Sequence, residues 1–466
     1  MFSKETYIKR RELLRERVSR GGLILLPGNS EAPRNYPDNG YHYRQDSNFL
    51  YFYGLKLPDL VGLLDIDAGE DWLFGDDLSM DDIIWTGPQP TVSELGARCG
   101  ISHTAPLAVL QEKLPLAIRK GRPVHFLPPY RADNKLKLSR WLGICPEAIA
   151  DRISIELAIA IVSLRDKKSD EEIREIEDAC EIGYRMHTTA MKMCRPGARE
   201  RDIAGAIEGI ALEMGEGVSF HSIVTQHGET LHNHGHDGIL ESGRMLLVDA
   251  GAENLMNYCS DFTRSYPVNG RFTPMQRDIY EIVLAANAHA FEMAKPGLLY
   301  KEVHLACVKV ILEGLKSLGL VRGDMDEAVA NGVHALFMPH GLGHLMGLDV
   351  HDMEDIGEKY VGYDLETERS TQLGVSNLRM ARRLQVGMVM TDEPGIYFIP
   401  AYIAKWKAEG TNKEFVNFDK LEPYMNFGGI RIEDDLLITE TGNRILGKRR
   451  IPVTVQEIEE FMAGDR

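Results

Sequence analysis

Histidine is concentrated in two stretches of this chain: five of the 15 lie between His221 and His236, and four more between His334 and His351. Between and after these stretches, acidic residues interrupt apolar runs that read as strands. Asp249 follows Leu246-Leu247-Val248, Asp261 sits in Tyr258-Cys259-Ser260-Asp261-Phe262, Glu393 follows Val389-Met390-Thr391-Asp392, and Glu433 follows Ile430-Arg431-Ile432. A carboxylate in a buried strand is costly unless it is paired or bound to a metal. Arg264 and Arg431 are the obvious basic partners, too little positive charge for this much buried negative charge. One or two divalent ions would supply it. Four carboxylates and an imidazole make a hard, oxygen-rich site suited to Mn²⁺, with Co²⁺, Fe²⁺ or Zn²⁺ as alternatives. A structural zinc site calls for thiolates, and the six cysteines are scattered singly. Four carboxylates exceed what one catalytic ion with an open position can use, whereas two ions sharing bridging carboxylates use them all. Such a pair, ~3.5–4 Å apart, lowers the pKa of a bridging water from about 15.7 toward ~7. The expected chemistry is hydrolysis.

Competing motifs are absent. There is no His-Glu-x-x-His and no Gly-x-Ser-x-Gly. Gly341, Gly343 and Gly347 imitate a dinucleotide loop with the wrong spacing. Glu433 and Asp435 share one face of an extended strand, so periodicity leaves open which of them is the ligand.

The elements that must hold these residues come in two parts. Residues 1–165 alternate helix-like segments (6–20, 107–118 and one capped by Thr91 with Glu94) with short apolar runs at 22–26, 60–66 and 124–127. This is an α/β pattern without a phosphate loop. Its aromatic stretch from Tyr41 to Tyr53 suits packing or subunit contact. A charged run from Arg165 to Glu172 marks the boundary, and residues 166–466 form the second domain. There, a helix capped by Ser169 and Glu172 ends at Arg195-Pro196-Gly197, and a second helix follows. About 100 residues later, a helix capped by Thr273 and Gln276 ends at Lys295-Pro296-Gly297, and another follows at 301–318. The repeated order predicts an internal duplication in an α+β domain, with the site between its halves.

Composition narrows the function classes. With 53 Lys+Arg against 70 Asp+Glu the net charge is −17, which argues against a nucleic-acid partner. A hydrophobic content of 44% excludes disorder. No apolar run approaches the roughly 20 residues of a bilayer span, so no membrane partner is expected. The first ten residues carry charges where a signal peptide needs its apolar core, and the isolated cysteines suit a reducing cytosol. A cytoplasmic enzyme is expected.

At its candidate site the chain resembles the metal-dependent pita-bread peptidases, in particular the Xaa-Pro peptidases, aminopeptidase P and prolidase. Six motifs carry the resemblance: Leu247-Val248-Asp249-Ala250-Gly251, Ser260-Asp261-Phe262-Thr263-Arg264, Pro339-His340-Gly341-Leu342-Gly343-His344, Asp349-Val350-His351-Asp352, Glu393-Pro394-Gly395-Ile396-Tyr397 and Gly429-Ile430-Arg431-Ile432-Glu433-Asp434-Asp435. Residues 43–51 resemble the non-catalytic N-terminal domain of both enzymes. The resemblance implies a pita-bread catalytic domain with a pseudo-twofold. It further implies that Asp249 chelates one ion, that His344 and Glu393 bind the other, and that Asp261 and Glu433 bridge both. Glu393 would also take the proton of the attacking water. His232 matches the family's active-site histidine, with His234 and His236 as competitors. His340 and His351 match the histidines that hold substrate and stabilise the tetrahedral intermediate, and Arg431 would orient Glu433. A homodimer is implied, with the N-terminal domain contributing to the interface.

Both enzymes cleave the bond before a proline, whose tertiary amide lacks an N–H. Aminopeptidase P accepts longer peptides; prolidase takes dipeptides and must read a free carboxylate beside the cleaved bond, a task for arginine. Leu378-Arg379-Met380-Ala381-Arg382 and the insert between Tyr397 and Gly428 resemble prolidase, with Arg379 as the carboxylate ligand. Residues 353–377 depart from both patterns in length and acidity; they could cover the mouth of the site, which leaves the substrate length open. Prolidase is the leading expectation and aminopeptidase P the alternative. A non-catalytic relative and a metal-free relative such as creatine hydrolase are disfavoured by the intact set of five ligands.

Overall fold

Leu23 and Leu25, and likewise Val61 and Leu63, are spaced two apart, so each pair projects to one face of its strand. In the computed structural model, which describes residues 1–464, they share a core with Leu110, Leu114, Leu138 and Trp141. This core belongs to the first of two units, Met1–Arg165 with Glu354–Tyr360. Its sheet contains β1 (Leu23–Pro27), β2 (Val61–Asp65), β3 (Glu70–Phe74), β4 (His103–Ala105) and β5 (Val124–His125), in the order β4-β3-β2-β1-β5. The outer pairs are parallel and the inner ones antiparallel. Helices Leu107–Arg119 and Ala132–Leu142 supply the facing apolar side chains. The aromatic stretch becomes a helix, Ser47–Tyr53, capped by Asp46 and buried at every position.

The second unit comprises Asp166–Met353 and the chain from Val361 onward. Its first half has helices Asp170–Met193 and Glu200–Met214. The short pair β6 (Gly217–Val218) and β9 (Ala252–Glu253) follows, with a three-stranded antiparallel sheet of β7 (Ile223–Thr225), β8 (Met245–Ala250) and β10 (Phe262–Pro267). The second half repeats this with helices Pro274–Met293 and Tyr300–Ser317. It closes with the pair β12 (Gly395–Tyr397) and β13 (Gly429–Arg431) and a sheet of β11 (Val389–Asp392), β14 (Asp434–Ile438) and β15 (Asn443–Ile445). Both expected capping boxes form, Ser169 with Glu172 and Thr273 with Gln276. Gly197 and Gly297, which follow the first helix of each half, have φ of +84° and +87°, a conformation that favours glycine. The halves meet where Glu433 N donates to Thr263 O at 3.0 Å.

His304 and His334 are among the buried histidines outside the acidic cluster. They pack edge to face with centroids 5.9 Å apart. Burial pushes His334 down to about 4 from 6.5, and burial with the neighbouring His334 and His340 rings pushes His304 down to about 3. An imidazole with a depressed folded value binds fewer protons folded than unfolded. The stability it confers is complete above pH 6.5 and falls as the pH drops toward the folded value. At one pH unit below 6.5 each such histidine should cost about 1.4 kcal/mol. Urea unfolding at pH 7.5 and 5.5 should therefore show a smaller acid loss in His334→Leu than in the wild type. An equal loss would assign the acid sensitivity to other groups.

Candidate metal centre

The acids reach one place because they sit at strand ends and junctions of the second unit. Asp249, in β8, is paired in register with Thr263 of β10 and Ile223 of β7. Asp261 immediately precedes β10, where a Cβ on Gly251 would lie 1.8 Å from Ser260 O, so only glycine permits this approach. Glu393 stands between β11 and β12, and Glu433 between β13 and β14. The His344 loop lies against β11: His344 N donates to Thr391 Oγ1 (3.2 Å) and Thr391 N to His344 O (3.0 Å).

Asp261, His344 and Glu433 each present a ligand atom within 4.8 Å of the others. His344 Nε2 lies 3.5 Å from Asp261 Oδ2 and 3.8 Å from Glu393 Oε1. Its Nδ1 is 3.1 Å from Leu345 O, a contact that keeps the proton there and turns the Nε2 lone pair toward the acids. Asp249 Oδ1 and Asp261 Oδ1 are buried with no hydrogen-bond donor. Burial, and then repulsion from Asp249 and from Asp261 respectively, pushes the Asp261 and Glu433 carboxyls well above the usual carboxylate range. Burial raises Glu393 as well. Buried carboxylates, two of them with an oxygen that lacks a donor, beside an imidazole are a donor set that fits divalent cations, whose charge would remove this penalty.

Three consecutive acids divide their work. Glu433 Oε2 accepts from Thr263 Oγ1 (2.7 Å). Asp434 turns to Arg264 (2.6 Å) and Arg450 (2.7 Å). Asp435 Oδ2 accepts from the Asp261 backbone N at 3.0 Å and so holds Asp261 from behind.

A cavity of about 580 Å³ is lined by Asp249, Asp261, His344, Glu393 and Glu433. His232, His340, His351, Arg379 and Arg431 line it too. The His351 ring stacks on His344 with centroids 3.7 Å apart. His232 and His234 both reach the cavity, whereas His236 is held by Ser222 O at 3.0 Å. Of residues 353–377, Asn377 alone is among the cavity's lining residues. Arg431 touches a candidate ligand of its own besides Glu433. Its Nη2 donates to Asp249 Oδ2 (2.6 Å), and it reaches Glu433 only through Thr263, whose Oγ1 accepts from Arg431 Nε (3.1 Å).

Several supporting residues have roles that residue type and spacing do not show. Tyr397 OH accepts from Arg431 Nη1 (2.7 Å) and lies 2.9 Å from His340 Nε2, joining Asp249 to His340 through one chain of hydrogen bonds. Burial and the Arg431 charge hold His340 down to about 3, so this ring is neutral near pH 7. Lys168 donates to Asp352, the neighbour of His351, at 2.8 Å, with both side chains buried. Glu200 accepts from Gln226 N (2.9 Å) and Gly238 N (3.0 Å), pinning both ends of the loop that carries His232. Tyr397 closes the Glu393 motif, which was its one sequence signal. The partners of Lys168 and Glu200 lie too far along the chain for spacing to reveal.

Comparison with known proteins gives the family. The model of metallopeptidase family M24 matches residues 174–440, and that of the aminopeptidase P N-terminal domain matches residues 7–125. The chain belongs to metallopeptidase family M24 and is a metal-dependent peptidase of pita-bread fold. It is 33% identical to human Xaa-Pro dipeptidase, with 96% of this chain and 90% of the relative covered. It is 31% identical to the Xaa-Pro aminopeptidase of Escherichia coli K12, with 100% and 99% covered. Among solved structures, Pseudomonas aeruginosa aminopeptidase PepP matches with a TM-score of 0.81 at 30% identity, covering 100% of this chain and 99% of that one. Zn-substituted E. coli aminopeptidase P in complex with product matches with the same TM-score, identity and coverage. No helix among the described residues is long and apolar enough to cross a membrane.

Proposed function

We propose that this chain is an Xaa-Pro peptidase that hydrolyses the bond before proline with two divalent ions, and that it prefers dipeptides, as a prolidase does. The observation that carries the dinuclear reading is the grouping of Asp261 and Glu433 with His344, beside buried Asp249 and Asp261 oxygens that lack a donor. In this reading Asp249 would serve one ion, His344 and Glu393 would serve the other, and Asp261 and Glu433 would serve both. The hard donor set supports Mn²⁺. When bound, the ions supply the positive charge that brings water ionisation near neutral pH.

The chain's own groups do the rest. Glu393 accepts the proton of the attacking water, and its oxygens face both His344 and His340, at 3.8 and 3.7 Å. His232 and His351 donate to the oxyanion that develops on the scissile carbonyl, and His340, whose two ring nitrogens face Gly341 O and Tyr397 OH, walls the substrate beside them. Tyr397 and Arg431 fix the His340 ring. Arg379, on the cavity wall, receives the substrate's free carboxylate, and its bidentate geometry supports the dipeptide preference. A homodimer in the cytosol completes the reading.

Aminopeptidase P activity is the second reading, favoured by the coverage of the aminopeptidase P structures. Mn²⁺-supplemented hydrolysis of Ala-Pro, Ala-Pro-Ala and a longer Xaa-Pro peptide, with chelator controls, separates the two. Fast cleavage of Ala-Pro is expected, lost with chelator and restored by Mn²⁺. Preference for the longer peptides would replace prolidase by aminopeptidase P. No cleavage of any of them with metal bound would overturn the substrate class.

A further inference from the structure

We propose that Gly362 and Tyr363 are positioning residues that fix the backbone beneath Arg379 and thereby set the selectivity for substrates with a free carboxylate beside the cleaved bond. The inference rests on the reading of Arg379 given above. Arginine discriminates carboxylates only if its base is held to about half an ångström, because its side chain is long and its bidentate geometry is narrow. The chain around Arg379 is held in that way. A Cβ at position 362 would lie 1.7 Å from Arg379 O and 2.7 Å from its carbonyl carbon, so the two backbones touch where only glycine fits. Gly362 O accepts from both Ala381 N (2.9 Å) and Arg382 N (3.0 Å). Tyr363 OH donates to Leu378 O at 2.7 Å, and Arg382 Nε donates to Val361 O at 2.6 Å. Residues 361–363 thus grip the chain on both sides of Arg379.

Packing closes the grip. Tyr363, Val375, Leu378 and Ala381 form their own small apolar cluster. The Arg369 guanidinium lies over the Tyr363 ring at 4.8 Å and donates to Ser376 O at 2.9 Å. From the cavity side, Asn377 Nδ2 donates to Pro339 O at 3.1 Å, next to His340. The segment is therefore tied to the His340 loop at one end and to Gly362 at the other, with Arg379 between them.

The test is steady-state kinetics of the Mn²⁺-loaded full chain on Ala-Pro and Ala-Pro-Ala. Tyr363→Phe should raise KM for Ala-Pro about fivefold, the factor that one hydrogen bond is worth. KM for Ala-Pro-Ala and kcat for both substrates should change less than about twofold. Gly362→Ala, which must displace the Arg379 carbonyl, should have a larger effect of the same kind. In an Arg379→Met background Tyr363→Phe should add nothing, since coupled residues are not additive. An equal KM rise for both substrates, or an undiminished effect of Tyr363→Phe in Arg379→Met, would make Tyr363 a general support and overturn the inference. A silent Tyr363→Phe beside a strong Arg379→Met effect overturns the inference alone. An unchanged Ala-Pro KM in Arg379→Met overturns the carboxylate reading and the inference with it.

Discussion

Asp261→Ala should lose metal and turnover together. Asp261 has one oxygen 3.5 Å from His344 Nε2 and the other buried without a donor, so its carboxylate has no structural task that a hydrogen bond would explain. Its role in holding the loop is met by the backbone, through Asp261 N and Asp435. The substitution therefore removes a ligand while leaving the surrounding chain supported. Turnover should fall by more than the ~10–100-fold typical of residues that merely support a metal ligand, and metal analysis should show fewer than two ions per chain. Glu433→Ala should behave alike. The metal-free state supplies a second, opposite signature. Burial and neighbouring carboxylates make Asp261 costly there, so the metal-free variant should unfold at a temperature no lower than the metal-free wild type. Normal turnover with two bound ions in either variant would show that the bridging assignment is wrong.

The largest stability effect is expected at Arg264. Its side chain is fully buried and donates to Asp434 Oδ1 (2.6 Å), Glu433 O (2.7 Å) and Thr263 O (3.0 Å). Arg264→Met keeps the bulk but strips these acceptors of a donor and leaves Asp434 with Arg450. Breaking one side of a buried pair costs about 3–5 kcal/mol, and urea unfolding should show a loss in that range. Adding Asp434→Leu to Arg264→Met should recover only the part of the loss that comes from the unpaired Asp434 carboxylate, because Arg450 then loses its own partner and Glu433 O still lacks the Arg264 donor. A single-variant loss under about 1 kcal/mol would mean that water replaces the guanidinium, and the pair would then carry little of the fold.

Much of this molecule can be read from residue types and spacing. The acids at 249, 261, 393 and 433 stand out because each interrupts an apolar run, and burial without compensation is too costly to be accidental. The repeated helices announce themselves through local signals, the Ser169 and Thr273 boxes and the two Pro-Gly breaks, which act within a few residues of chain. The N-terminal sheet follows from period-2 alternation at Leu23, Leu25, Val61 and Leu63.

Other features depend on partners far apart in sequence, and folding alone selects them. Strand periodicity puts Glu433 and Asp435 on one face, yet β13 ends before Glu433 and β14 begins after it, so the break sends Glu433 to the ligand cluster and Asp435 behind Asp261. Arg431 bonds Asp249 directly and reaches Glu433 only through Thr263, and Gly395 opposite it leaves room for the Tyr397 hydroxyl that joins it to His340. Residues 354–360 cluster with the first unit while Gly362 and Tyr363 grip Arg379 in the second, a division that the acidity of that segment gives no hint of. Composition and periodicity select which residues must be buried and charged; non-local pairing and backbone approach decide which of them touch.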